Sequence, residues 1–283
     1  MPELPDLEYI VEKLAPQVTG RTIEEVAVRE PIVIRMLLPG AGGFVEALPG
    51  RSIDGLVRHG PFLDFRLGGG ARLVVHCMLA GRLQLAAADA KLPHICFSLR
   101  LDNGAWLRYG DEKKMGKVYL VPAGGTAAIP GFDTQGVDVL SRDFTWEVFH
   151  GLARGRRHQV RVFLMDQTAL SAIGNAYADE ILFAAGIHPK IPCSSLTEEE
   201  LRRLYDGIVT VLRWGIEEVR KAGRPIEEKV RDHVKVRNRK GEPCPVCGTT
   251  IRRVGVLGYD SFFCPTCQPA TRTVGPKGRQ IPW

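Results

Sequence analysis

The sequence predicts an α+β protein in three parts. An N-terminal antiparallel β-sandwich with a flanking N-terminal helix comes first, then a helical bundle, then a small C-terminal β-hairpin module held by cysteines. Three observations carry this prediction. From about 21 to 122, short runs alternate apolar and polar side chains between Gly and Asn turns. From 144 to 219 the apolar residues fall at helical spacing instead. Near the C-terminus, four cysteines stand as two CxxC pairs.

The first element is a helix over residues 4–15. Pro5 suits its first turn, Asp6 and Glu8 complement the helix dipole, and Leu7, Ile10, Val11 and Leu14 form one apolar face. Strands follow at Ile53–Val57, Phe62–Leu67, Leu73–Cys77, Ile95–Leu101 and Val118–Val121. Gly68-Gly69-Gly70 and Asp102-Asn103-Gly104 punctuate them. Residues 123–140, rich in Gly, Ala and Pro, read as a linker. Helices are expected at 144–153, 159–170, 176–186 and 197–219, the last opened by a capping box of Thr197 and Glu200. The domain boundaries expected are therefore 1–122, 141–235 and 236–270, with 271–283 as a tail.

Composition narrows the classes. The 283 residues are 45% hydrophobic and 25% charged, ordinary for a globular chain. No run of 18 apolar residues offers a membrane span, and the acidic N-terminus (Glu3, Asp6, Glu8) lacks a secretory pattern, so a cytoplasmic location is expected. The net charge of +6 conceals an asymmetry, because residues 220–283 hold 14 Lys+Arg against 5 Asp+Glu. A basic quarter on a mildly acidic body suits an anionic polymer; a solvated basic tail is the plainer reading.

The cysteines give the sharpest chemical signal. Cys244 and Cys247, then Cys264 and Cys267, have the spacing of a tetrahedral zinc site. Gly248 supplies a turn after the first pair, and Ile251, Val254, Val256 and Phe262 supply two short strands between the pairs. Redox CxxC pairs or free thiols are the competing readings. Cys77, Cys96 and Cys193 read as packing residues.

At the other end the chain begins Met1-Pro2-Glu3-Leu4-Pro5. Removal of Met1 makes Pro2 a terminal secondary amine, able to attack a sugar aldehyde carbon and form a cationic imine, with Glu3 beside it to move protons. A structurally neutral start fits the same residues. Further along, Gly174 and Asn175 lead into a helix ended by Gly186. With Asn175 as N-cap, this presents amides to a phosphate; a capped core helix without a ligand fits too.

Together these segments resemble the formamidopyrimidine-DNA glycosylase/endonuclease VIII family over essentially the whole chain. The stretches that carry the likeness are Pro2-Glu3-Leu4-Pro5, Phe163–Asp166 through Gly174–Glu180, and Lys240-Gly241-Glu242-Pro243-Cys244. The resemblance implies a helix–two-turn–helix DNA-binding domain, one structural zinc in a β-hairpin zinc finger, and double-stranded damaged or abasic DNA as partner, bound by a monomer. It implies that Pro2 excises a damaged base and cleaves the strand by β,δ-elimination, with Glu3 as acid/base. Asn175 and Arg161 are implied as phosphate contacts, and His76, Leu79, Lys113, Met115 and Tyr259 as further DNA-binding residues.

The departures are specific. Pro61 stands where the family has a lysine, with Arg58 and His59 as neighbouring cations. Tyr259 stands where the family has a phosphate-clasping arginine of the zinc-finger hairpin, followed by Asp260. Leu79, Lys113 and Met115 replace the family's gap-filling methionine, arginine and phenylalanine; Leu79 and Met115 read either as apolar wedges or as core residues. The loop 220–225 looks shorter than the family's lesion-capping loop. The rival reading is a DNA-binding homologue, or a lyase alone, that recognises damage without excising a base. An RNA-binding zinc protein is a third.

Overall fold

The computed structural model describes residues 1–40, 42–87 and 90–270. The expected tail lies outside them. The chain divides into two compact units, 1–134 with 219–230, and 135–218 with the segment from 231 onward.

The first unit opens with α1 (Leu4–Val18), three residues longer than its apolar repeat suggested. Glu3 is its N-cap, and Asp6 reaches back to accept from the Glu3 N–H at 2.8 Å, so two otherwise orphaned helix donors are satisfied reciprocally. Leu4, Leu7, Ile10, Leu14 and Val18 are buried along one face. The strands are β1 (Ile23–Val28), β2 (Ile34–Met36), β3 (Ile53–His59), β4 (Phe62–Leu67), β5 (Arg72–His76), β6 (Arg82–Ala86), β7 (Ile95–Leu101), β8 (Trp106–Gly110) and β9 (Lys117–Val121), with a one-turn helix α2 (Phe44–Ala47) between β2 and β3. They form two sheets, ordered β1-β7-β8-β6 and β2-β9-β5-β4-β3. The sandwich is antiparallel except at one edge, where β2 runs parallel to β9. That pairing spans three residues, and its parallel sense follows from the long connection between the two strands. Across the β7–β8 pair, Phe97 stacks on Tyr109 with ring centroids 5.5 Å apart.

The second unit holds α3 (Trp146–Ala153), α4 (Val160–Leu164), α5 (Asn175–Ala185) and most of α6 (Glu198–Ala222), then a hairpin of β10 (Arg252–Val256) and β11 (Tyr259–Phe263). The Thr197–Glu200 capping box is present, with hydrogen bonds of 2.7 and 3.2 Å. The helix expected over 159–170 is cut to five residues. Asp166 accepts from the Thr168 N–H at 3.0 Å and hydroxyl at 2.6 Å, a local competitor that turns the chain out of the helix. Ala172 then adopts a left-handed φ of 62°, and the two turns deliver α5. No described helix is long and apolar enough to cross a membrane.

Phe183 on α5 is fully buried among Val236, Ile251, Phe262, Cys244 and Cys264, so one ring joins the helix to the cysteine module. Phe183→Ala is expected to destabilise this unit by about 3–5 kcal/mol, the usual cost of emptying an aromatic site. A denaturant midpoint unchanged from wild type would disprove that coupling.

Candidate active site, anion-binding surface and metal centre

In the first unit the N-terminal amine is set into a partly buried recess. It donates to the Leu79 carbonyl at 3.1 Å. Burial, reinforced by the positive charges of Lys229 and Arg82, lowers its pKa from 8.0 to about 5, against the opposing pull of Glu3. Burial and the cations beside it favour the neutral form of this Met1 amine. Pro2 is buried, and Glu3 is only 5% exposed at the helix cap. Lys229 also donates to the Leu79 carbonyl, at 3.3 Å, so one backbone oxygen gathers both nitrogens.

Leu79 is 50% exposed and Met115 is 41% exposed, which removes the reading of either as a core residue. Both ride on loops fixed to one buried point. A Cβ on Gly81 or Gly116 would lie 2.2 or 1.7 Å from the Tyr109 hydroxyl, so both backbones close on Tyr109 where only glycine fits. Asp111 beneath them accepts from the N–H groups of Gly116 at 2.7 Å and Lys113 at 3.0 Å. Lys113 itself is exposed. His76, at the end of β5, accepts from the Met78 N–H through Nδ1 at 3.1 Å, which leaves its proton on Nε2. Burial lowers its pKa to about 4, so it offers a neutral donor rather than a charge.

The second unit carries a polar hub built on Asp179, which is fully buried. Its carboxylate accepts from Arg161 at 3.0 Å, Arg237 at 2.8 Å, the Ser261 hydroxyl at 2.7 Å and the Phe262 N–H at 3.2 Å. Next to it Glu180 accepts from the N–H groups of Lys235, Val236 and Arg237, each at 2.9 Å. Burial pushes the Glu180 carboxyl up to about 7 although those three donors hold it down. Arg161 is not an outward cation: it is 1% exposed, and its Nη2 donates to the Asn175 side-chain oxygen at 2.7 Å and the Asp260 carbonyl at 3.1 Å. The N-cap of α5 is Gly174, and Asn175 is already helical, because its side-chain oxygen is drawn to Arg161 instead of its own helix amides. Since arginine only donates, this contact also fixes the amide's sense and leaves the Asn175 NH2 as its outward face.

Tyr259, 55% exposed, lies on the rim of a cavity of about 300 Å3 shared with Arg156, His158, Met165 and Leu257. Leu257 and Gly258 both have positive φ, 44° and 80°, giving the tight two-residue turn that joins β10 to β11. Asp260 pairs with Arg253 at 3.1 Å, which neutralises the acidic residue beside the hairpin tip.

The sulfurs of Cys244, Cys247, Cys264 and Cys267 all lie within 4.8 Å of one another. The separations Cys244–Cys267, Cys247–Cys264 and Cys247–Cys267 are 3.8, 3.4 and 3.6 Å. A tetrahedron of sulfurs at ordinary zinc–thiolate distance has edges of about 3.8 Å, so the donor set fits one zinc ion. Gly248 has the left-handed φ, 75°, expected after the first pair.

Three family models account for most of the chain: the formamidopyrimidine-DNA glycosylase N-terminal domain over residues 1–118, its H2TH domain over 135–224, and a zinc finger found in such glycosylases and in isoleucyl-tRNA synthetase over 241–270. A formamidopyrimidine-DNA glycosylase of Symbiobacterium thermophilum is 38% identical, the alignment covering 97% of this chain and 91% of that one. The chain belongs to the formamidopyrimidine-DNA glycosylase family. A Chloroflexus aurantiacus member is 36% identical over 95% of this chain and 98% of its own. Among solved structures, the MutM (Fpg) protein from Thermus thermophilus superposes with a TM-score of 0.81 at 32% identity, covering 94% of this chain and 98% of that one. The Lactococcus lactis Fpg in complex with DNA containing an abasic site gives 0.85 at 27% identity, covering 94% and 99%.

Within this family frame, the neighbours of Pro61 do not restore the missing lysine. Arg58 is 5% exposed and spends its charge on Glu8, and His59 bonds the Phe132 carbonyl at 2.8 Å while stacking on its ring. Residues that sequence reasoning passed over are Lys229 and Arg237, which stood out only as charges in a basic stretch, and Asp179, Tyr109 and Asp111, whose roles depend on distant partners. As an FPG-type zinc finger, the cysteine module holds a single structural zinc. A strong chelator is expected to remove one zinc per chain and raise amide exchange across Arg252–Phe263, because a site with this folding role loses its hairpin with the metal. Unchanged exchange in the metal-free protein would refute the structural role.

Proposed function

We propose that the protein is a bifunctional DNA glycosylase/AP lyase acting on damaged, oxidised bases in duplex DNA. The observation that carries this reading is the start of the chain: the Met1 amine lies in a partly buried recess next to Glu3 and the Leu79 loop, with the buried Pro2 directly after it. With Met1 removed, the Pro2 nitrogen becomes the secondary amine of that recess. Its lone pair attacks C1′ of the damaged nucleotide, the C1′–base bond breaks, and the departing base leaves with the bonding pair and takes up a proton. Glu3 delivers a proton to the ring oxygen, the sugar opens, and nitrogen and C1′ share a cationic imine. The imine acidifies C2′: loss of a proton there expels the 3′ phosphate, and a second elimination expels the 5′ phosphate. The first proton lost is from C2′ and the second from C4′. At each step the nitrogen lone pair of the enamine re-forms the C=N+ bond as the C–O bonding pair leaves with the phosphate, and water then releases Pro2.

In this reading Leu79 and Met115 fill the space left by the extruded nucleotide, at a cost in unstacking of a few kcal/mol. His76 and Lys113 contact the same strand, the first by a neutral Nε2–H and the second by charge. Asn175 grips a backbone phosphate through its outward NH2, with the dipole of α5 behind it. Arg161 acts through Asn175 as a positioning residue. Tyr259 offers an aromatic face rather than a clamp. The four cysteines hold the zinc that shapes this hairpin. A chromosomal substrate places the protein at the nucleoid in the cytoplasm.

Borohydride reduction with an abasic-site duplex is expected to trap a covalent adduct that maps to Pro2, and an uncleaved N-terminal extension is expected to abolish it. Strand cleavage without any trapped adduct, or DNA binding with neither, would reject imine chemistry. The acid limb of the trapping rate should lie well below the pH near 8 at which a free α-amine titrates. Lys229→Met removes a positive charge that disfavours the ammonium form, so its limb should move to higher pH. A limb that stays in place would show that Lys229 does not tune the amine.

A further inference from the structure

The Asp179 hub uses only one corner of its second arginine. Arg237 makes all its hydrogen bonds through Nη1, to Asp179 at 2.8 Å, the Asp260 carbonyl at 2.8 Å and the Asn175 carbonyl at 3.5 Å. Its guanidinium carbon lies 5.0 Å from the Phe262 ring centroid. Nε and Nη2 donate to nothing among the described residues, and in a side chain 18% exposed neither is sealed from water. This leaves the edge of the guanidinium that matches two oxygens of a phosphate, held rigid by the bonds at the opposite corner.

The neighbourhood suits an anion. Two arginines converge on Asp179, burial raises the neighbouring Glu180 carboxyl toward its neutral form, and Asp260 is committed to Arg253. The side-chain amide of Asn175, its oxygen taken by Arg161, turns its NH2 out of the same residue whose carbonyl touches Arg237. The first turn of the 11-residue α5 begins there. The sequence meanwhile replaces the family's hairpin arginine with Tyr259, whose hydroxyl cannot form a bidentate pair.

We propose that Arg237 is the guanidinium that grips a DNA backbone phosphate beside Asn175, in place of the hairpin arginine lost at Tyr259. The cation is displaced from the hairpin to the segment before the zinc finger, and Asp179 fixes its direction. This inference rests on the glycosylase/lyase reading above.

The test is equilibrium binding of a duplex with a tetrahydrofuran abasic-site analogue over a range of salt, for wild type, Arg237→Gln and Arg237→Lys. Arg237→Gln should weaken binding by about tenfold to a hundredfold, the range of a charge-assisted contact. Its plot of log K against log salt should be shallower by about 0.9, one phosphate contact fewer. Arg237→Lys should recover the slope but only part of the affinity. Adding Tyr259→Arg to Arg237→Gln should restore both. An Arg237→Gln protein with wild-type affinity and slope overturns the proposal. Should that variant fail to fold, arginine-selective labelling of wild type with p-hydroxyphenylglyoxal decides: Arg237 should label in free protein and be protected by the duplex, and equal labelling in both states overturns the proposal. Failure of the underlying reading looks different, because wild type would then give no borohydride adduct on abasic DNA at all.

Discussion

The second unit depends on one buried carboxylate. Asp179 sits on α5 with no exposure, yet it receives donors from α4 through Arg161, from the basic segment through Arg237, and from β11 through Ser261 and Phe262. Ion groups this deep add little net stability, since their desolvation offsets most of their attraction. Their effect is on specificity. Removing the central member of such a group leaves its partners charged and unsolvated, at about 3–5 kcal/mol, so alternative packings of the hairpin on α5 are strongly disfavoured. Glu180, one residue on, applies the same constraint to the backbone of 235–237. Together the two acids hold a cationic segment whose own side chains would otherwise repel one another.

The same logic recurs in the first unit with neutral groups. Tyr109 and Asp111, both buried, anchor the loops that carry Leu79 and Met115. An exposed apolar side chain loses entropy when it is made to enter a DNA stack, and loops already closed on a core residue have less to lose. Gly81 and Gly116 are required by that closure, since a Cβ at either would strike the Tyr109 hydroxyl. Leu79 and Met115 are thus presented as exposed side chains by loops that core contacts fix.

Legibility in the sequence followed the range of the interactions. Local patterns were readable: the capping box at Thr197, the left-handed Gly186 and Gly248, the strands β4 and β7 to the residue, and the paired cysteines. Elements decided by distant partners were not. The segment 159–170 has helical spacing, but Asp166 diverts it by local side-chain bonds that spacing does not register. Strands β1, β2, β6 and β8 are short, and they take their form from the neighbours they pair with. Asn175 has the chemistry of an N-cap, and only the proximity of Arg161, 14 positions earlier, reassigns it. Arg161 and Arg237 are indistinguishable as letters. Arg161 spends Nε and Nη2 on its acceptors and is buried, whereas Arg237 meets its acceptors through Nη1 alone and keeps an open edge, a difference made by packing.

The charge asymmetry of the chain takes its meaning from these placements. A basic C-terminal quarter alone is compatible with any anionic polymer. In the structure its residues are divided among distinct tasks: Lys229 lies by the N-terminal amine and Arg237 by Asn175, while Arg239 and Arg253 are spent on nearby acids. A cation near the nucleophile favours the neutral amine, which attacks, and the imine it forms carries a positive charge that the same cation opposes. In the proposed mechanism Lys229 assists the attack and also opposes the cationic imine that follows. Two neighbours temper the effect: the Leu79 carbonyl, which accepts from both nitrogens, and the Glu3 carboxylate, which raises the amine pKa. In that proposed mechanism the state of the amine follows from these three groups together rather than from the amine alone.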